Sequence, residues 1–382
     1  MALLALVLFT ATQSNIPRFR EEVVDRESGG SGFNSCLMDV RGNGRPDIIL
    51  VTQKKDQVIR YANPTWKKQI LATGVVSLPE PLVAFDVDGD GKPELFVGGN
   101  FQLQNTTDPC PLFLLRPGAD PEQTWAAIKL DEEPSIHRLA PLTLAGRKEL
   151  VVSCLMGKGS KAPEWAGPGA ALYLLRPTGD PFQEPWKREV ISSDLHRVHG
   201  ITAVDWSGQG REDLLFVAAF EGIHVYRKGP DRWDVTEVIG KSPGASEIKV
   251  IRLPGGKRAL AAIEPWHGDR LVIYVGGPGN WERHVVPTGF RVGHGIVPVD
   301  FSGAGVDSLV VGFRGVKGEG GHAVVILHPN DGSGANWETK VLDAKDMEAD
   351  AVHAFDLNGD GRIDIVATGK GNNVKVYWNE GN

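Results

Sequence analysis

The chain has 382 residues, with 48 acids against 41 bases for a net charge of −7, and the bases are scattered rather than gathered into a block or stripe. That scatter excludes a nucleic-acid backbone as partner, because phosphate binding needs a concentrated positive surface. A hydrophobic content of 41% allows a large core, while 47 glycines, 25 prolines and no long helical pattern call for many turns.

From the N-terminus, the apolar run Ala2 to Leu8, followed by Thr10, Ala11 and Ser14, reads as the apolar region of a secretory signal without a basic start. Residues 1–16 are therefore set apart as a signal remnant and 17–382 as one domain, which predicts a secreted or periplasmic protein. The run is too short to span a bilayer, and no other stretch qualifies. Cys36, Cys110 and Cys154 make no disulfide framework. Cys36 and Cys154 fall in apolar strand patterns, where buried thiols are expected. Asn105-Thr106-Thr107 is a glycosylation sequon in a eukaryotic host.

A repeat then runs through the chain. Trp66, Trp125, Trp186, Trp233, Trp281 and Trp337 each precede a short β-rich stretch containing Val or Ile, and Phe19 with Val23 and Val24 fits the same pattern. The spacing of roughly fifty to sixty residues suits a four-stranded blade with its loops. A second motif keeps the same beat: apolar strand, Asp, Gly-containing turn, apolar strand. It runs from Asp39 to Asp47, Asp86 to Glu94, Asp205 to Asp213, Asp300 to Ser308 and Asp356 to Asp364, with weaker copies ending at Glu149 and Ala259. Tyr61, Phe113, Tyr173, Tyr226, Tyr274, Ile326 and Tyr377 mark a third strand in each unit. The pattern predicts an all-β, seven-bladed β-propeller of four-stranded blades. Its last repeat stops after the third strand at Trp378, so Arg18 to Asp25 is expected to supply the fourth. Closing the ring this way removes free sheet edges.

The Asp-rich turns resemble the FG-GAP/VCBS repeats of integrin-type propellers, a family in which such a turn can hold calcium. Asp86, Asp88, Asp90 and Glu94 in blade two keep the ligand set, as do Asp356, Asn358, Asp360 and Asp364 in blade seven. Closely spaced carboxylates and a backbone carbonyl wrap a hard cation in oxygens, so calcium is expected in these two turns in a stabilising role. Arg41, Gln209, Ala304 and Ser308 spoil the other copies, where Asp and Gly simply make turns.

In a propeller the innermost strands line the channel and these turns open on the bottom face. The long connections near Asn100 to Pro111, Met156 to Gly169 and Gly315 to Gly321 crowd the top, where function on a rigid scaffold is expected. Towards the top mouth the sequence places Glu80, His137 with Arg138, Arg197, His199, His294, Asp350 and His353, together with Glu264-Pro265-Trp266-His267-Gly268-Asp269. His224, His284, His322 and His328 fall on outer strands and are set aside. Any one histidine is accounted for as a packed polar residue, but several with a carboxylate form a first-row metal site, and a metal with an open position polarises a bound oxygen. A zinc- or manganese-like divalent ion on His199, His267 and His294 is expected. Glu264 or His137 is the expected base, and His353 is a further catalytic candidate. Glu80, Arg138, Arg197 and Trp266 are expected to hold the substrate. The chain has no nucleophile elbow, phosphate loop, dinucleotide fingerprint or paired-Cys spacing, and its tyrosines sit on third strands. His and Glu chemistry remains, suited to proton abstraction beside a carbonyl and loss of a β-leaving group. Trp266 offers an apolar face to a sugar ring.

The combination of Ile136-His137-Arg138, His199-Gly200, the segment from Glu264 to Asp269 and His294-Gly295 resembles the propeller domain of the aldos-2-ulose dehydratase (1,5-anhydro-fructose dehydratase) family. The resemblance implies metal-assisted elimination of water from keto-sugars, with a carbohydrate as partner. In that family cupin domains follow the propeller; the sequence to Asn382 contains none, which bears on the later isomerisation step. Two other readings stand beside it. One is a non-catalytic glycan- or protein-binding propeller with structural calcium. The other is a polysaccharide lyase cutting uronic-acid chains, a substrate that would want a basic groove.

Overall fold

Apolar runs separated by Gly-rich turns pair into seven four-stranded antiparallel sheets in a computed structural model, which describes residues 14–28, 34–144, 146–230, 232–241, 244–369 and 373–382. In six sheets the strands lie side by side in chain order, as in Ser35–Met38, Asp47–Thr52, Gln57–Ala62 and Lys67–Thr73 of blade one. The seventh is built from Ala349–Phe355, Asp364–Gly369 and Val374–Gly381, and its outer strand is the N-terminal Arg18–Asp25. Phe19 faces Asn379 and Glu21 faces Tyr377 across that closure. The expected seven-bladed propeller and its mode of closure are both present.

Second strands such as Asp47–Thr52, Leu214–Ala219 and Asp364–Gly369 are buried at every position, because neighbouring blades pack on both of their faces. Outer strands such as Lys67–Thr73 are largely exposed, with Leu71 and Ala72 buried. The core is therefore a ring of interblade layers. Each fully buried Ile, Leu or Val in it contributes on the order of 1.5–3 kcal/mol.

The closure is also polar. Lys375 is buried, with Nζ 2.6 Å from Asp343 Oδ2 and 3.1 Å from Glu21 Oε1. The Tyr377 hydroxyl donates to the same Asp343 at 2.9 Å. Three elements, the outer strand of blade six, the last strand and the N-terminal strand, are thus tied to one ammonium. Ile16 is buried with Val310, Val324 and Ile326, and Lys340 donates to the Pro17 carbonyl at 2.7 Å, so residues 14–17 pack on the propeller. The expected signal segment, Ala2 to Leu8, lies outside the described residues.

The segment Gly315 to Gly321 is a hairpin tip rather than a long loop. Ser308–Val316 and Gly320–Pro329 pair through Arg314 with His322 and Val316 with Gly320. The three cysteines are free thiols, and burial pushes their pKa values up. Among the described residues no helix is long and apolar enough to cross a membrane.

Candidate metal centre

One backbone device shapes the channel mouth. Register shifts place an extra residue against the second strand at His137, between Ile136 and Arg138; at His294, between Gly293 and Gly295; and at Asp350, between Ala349 and Ala351. Blade two does the same with Glu80 N donating to Gly98 O and Gly98 N donating back to Pro81 O. In blade four His199 N donates to the carbonyl of Ala218, the residue that faces Gly200. A bulge takes its side chain out of the strand's two-residue alternation and re-aims it. Here Glu80, His137, His199 and His294 come to line one cavity of about 510 Å³, joined by His267 and Trp266 from the blade-five connection and by Phe101 and Leu103 from blade two.

One ring nitrogen each of His199, His267 and His294 lies within 4.8 Å of the other two. The rings meet edge to face, with centroids 4.5 Å apart for His199 and His267 and 4.9 Å for His199 and His294. Hydrogen bonds assign two tautomers. His294 Nδ1 is 2.7 Å from the Asp350 carbonyl, which only accepts, so Nδ1 carries the proton and Nε2 keeps a lone pair. His199 Nδ1 lies 2.9 Å from the Ser246 carbonyl and 3.0 Å from Glu247 Oε1, two acceptors that again leave the lone pair on Nε2. Arg138 Nη2 donates to that nitrogen at 3.1 Å. The Nε2 atoms of His294 and His267 are buried with no hydrogen-bond partner among the described residues.

Burial pushes the pKa of all three imidazoles down, aided by the cations Arg138 and Arg314, and takes His267 to about 3. They are neutral near pH 7, the form a metal ligand requires. A buried polar nitrogen left without a partner costs on the order of 1–3 kcal/mol. Two such nitrogens beside a third imidazole fit a divalent transition ion, with the cavity on their open side.

The turn that carries His267 is tight: its φ is 51°, and Gly268 N donates to Pro265 O at 2.7 Å. A Cβ on Gly268 would lie 2.3 Å from the Glu264 carbonyl, so glycine is required there. Trp266 stacks on His267 with centroids 4.0 Å apart, and its Nε1 donates to the Arg197 carbonyl at 2.9 Å.

Four of the expected site residues fall outside the cavity lining. Glu264 does not line the cavity: its carboxylate accepts from the Tyr274 hydroxyl and from Arg283 Nη2, the latter at 2.6 Å, so the two outer strands of blade five hold it as a structural ion pair. His353 lies beyond the bulge on its strand, where Nε2 is 2.8 Å from Ser35 Oγ and joins blade seven to blade one rather than the cluster. Arg197 stacks on Phe220 at 3.4 Å and supports Trp266 from outside the cavity.

Arg138 does not line the cavity either, because it is paired beneath it. Arg138 and Glu247 follow the bulge position in blades three and five and meet at 3.3 Å. Gly200 holds the same place in blade four, where a Cβ would fall 2.8 Å from Ser246 O and 2.9 Å from Glu247 Cα. Sequence reading missed Glu247, since the blade-five turn Pro254-Gly255-Gly256 has no Asp from which to count. It also missed Gln53 and Arg314, which line the cavity from blades one and six.

On the bottom face, carboxylate oxygens of Asp86, Asp88 and Glu94 lie within 4.8 Å of one another. Burial, then the charges of Asp88, Asp90 and Asp86, raise Glu94 to about 7. Such a crowded acidic turn fits calcium. In blade seven Asp356 accepts backbone amides from Gly359 and Gly361, Asp360 pairs with Arg362, and Asp364 accepts from Leu357 N and Asn379 N. Asn358 donates to Asp360 at 3.0 Å. Among the described residues, that turn gathers no comparable trio of carboxylates.

No curated protein matches the chain. The fold is similar to the crystal structure of BBS1N in complex with ARL6DN, with a TM-score of 0.58 and 12% identity over 95% of this chain and 96% of that one. Such a likeness shows the fold alone. Residues 39–97 match the family model of the FG-GAP-like repeat, and the chain is a seven-bladed β-propeller that carries this repeat in its first two blades.

Proposed function

We propose that this protein is a metal-dependent carbon–oxygen lyase that eliminates water or another β-oxygen leaving group from a keto-sugar or oxidised glycoside. The observation that carries the reading is the trio His199, His267 and His294: neutral, convergent on the wall of one cavity, with the Nε2 atoms of His267 and His294 buried and unpartnered among the described residues. These three residues would hold the ion, which when bound supplies Lewis acidity to a substrate carbonyl and acidifies the neighbouring C–H bond. Trp266, Phe101 and Leu103 give the cavity an apolar lining for the faces of a pyranose ring. A volume of about 510 Å³ suits a single sugar unit with a small aglycone better than a threaded polymer. The resemblance of the histidine motifs to the keto-sugar dehydratases supports the same substrate class. Calcium in the blade-two turn would be structural, and the apolar start of the chain supports export.

The test is metal analysis by mass spectrometry on protein purified without chelator, with a parallel ultraviolet assay for enone formation from keto-sugars. The expected result is a zinc- or manganese-like ion and enone production in the wild type, both lost in His199→Ala/His294→Ala while calcium is retained. Calcium alone, unchanged by the substitutions, overturns the reading and favours a binding propeller.

A further inference from the structure

The cavity wall contributed by blades one to three is built differently from the histidine trio. Glu80 is 3% exposed, and its Oε2 accepts from Gln53 Nε2 at 3.1 Å. Its Oε1 lies 3.7 Å from His137 Nδ1, beyond hydrogen-bond reach. His137 is itself 5% exposed, yet neither ring nitrogen has a hydrogen-bond partner among the described residues. The ring cannot swing away to find one, since Phe101 stacks on it at 5.1 Å and His199 meets it edge-on at 4.8 Å. A buried, neutral imidazole with an unused donor and an unused acceptor, beside a carboxylate with an unshared oxygen, is arranged for a ligand hydroxyl or a proton in transit. Both groups line the cavity one ring away from the candidate metal centre.

We infer that Glu80 is the catalytic acid–base group of this pocket and that His137 binds the leaving oxygen beside it, an assignment that rests on the lyase reading. The Glu80 carboxylate takes the proton from the carbon next to the carbonyl. The C–H electron pair becomes the new C=C bond as the C–O bond at the β carbon breaks, its pair going to oxygen. Glu80 returns the proton to that oxygen, and water leaves. Nothing is oxidised or reduced overall, and the carboxylate is regenerated. Because one carboxyl serves both ends, the substrate class narrows to keto-sugars whose α-hydrogen and β-oxygen lie on the same ring face. Burial raises Glu80 to about 7, with Asp350 adding to the effect and Arg138 and Arg314 opposing it, which poises the group between its two roles.

The experiment uses the full chain with 1,5-anhydro-D-fructose and methyl 3-keto-β-D-glucopyranoside, following enone formation by proton NMR in heavy water and bound metal by mass spectrometry. Glu80→Gln should keep its metal and lose about 10²–10⁴-fold in rate. Glu80→Asp, which keeps the carboxyl, should retain turnover with its acidic rate limb displaced along the pH axis, a change that a purely structural role would not produce. Glu80→Gln at the wild-type rate, or Glu80→Asp with an undisplaced limb should Glu80→Gln not fold, overturns this assignment and leaves the lyase reading standing. A wild type that forms no enone from either sugar overturns both.

Discussion

His199 Nδ1 sits 3.0 Å from Glu247 Oε1, so a carboxylate from the neighbouring blade fixes the tautomer of a histidine at the channel mouth. Carboxylate–imidazole pairs of this kind orient metal ligands and raise their basicity. The same carboxylate oxygen takes Arg138 Nη2 at 3.3 Å, which places a cation under the trio as well. An ion on His199 Nε2 would have to displace Arg138 from that nitrogen, leaving Glu247 as its partner.

Replacing Glu247 by Ala should therefore weaken transition-metal binding by about 10- to 100-fold. Equilibrium dialysis against zinc, with the circular dichroism spectrum as a check on folding, reads the effect. Unchanged affinity would remove Glu247 from the metal's support.

Glu80 makes a prediction that needs no substrate. Its pKa is raised by burial to about 7 from an ordinary 4.5, so the folded state binds its proton more tightly than the unfolded state. That contribution to stability is fully present below about 4.5 and is lost as pH rises through about 7. The total swing is about 3 kcal/mol at roughly 1.4 kcal/mol per pK unit. Glu80→Gln, which cannot ionise, should gain most of this amount, about 2.5 kcal/mol, on the wild type between pH 5 and pH 8.5 in urea titrations. An equal difference at both pH values would show that Glu80 ionises normally.

The closure should be the stability weak point when its ammonium is removed. Lys375→Met leaves Asp343, 3% exposed, without its buried counter-charge. Breaking a buried pair from one side costs about 3–5 kcal/mol. Chemical denaturation should show that loss together with early exchange of the Arg18–Asp25 amides, since the N-terminal strand depends on the same lysine through Glu21.

Calcium should stabilise through blade two. A site filled at a hundred times its dissociation constant adds about 2.7 kcal/mol, so millimolar calcium should raise the Tm of chelator-treated protein by several degrees. Asp88→Ala should abolish that shift. A full shift in the variant would move the site elsewhere, and the blade-seven turn is the place to look next.

The sequence alone determined the number of blades, the order of strands and the closure by Arg18 to Asp25, because those depend on local periodicity. Trp66 and its equivalents, the Asp–Gly turns and the third-strand tyrosines repeat at fixed distance, and a chain that repeats a sheet seven times can bury its faces only by closing a ring. It also picked out His199 and His294, whose positions follow from the same count, and His267 from the blade-five connection. Only the tertiary structure decided which polar residues face the cavity. The extra residue at His137, His294 and Asp350 breaks the two-residue alternation without leaving a composition signal, so His353, placed correctly along the chain, points elsewhere, while Glu264 is drawn off by Tyr274 and Arg283 of its own blade. Glu247 comes from a blade whose turn carries no matching Asp, and Gln53 from the short connection after Asp47–Thr52, where no histidine marks it. Their partners, His199 and Glu80, come from neighbouring blades, and that contact exists only once those blades have packed together.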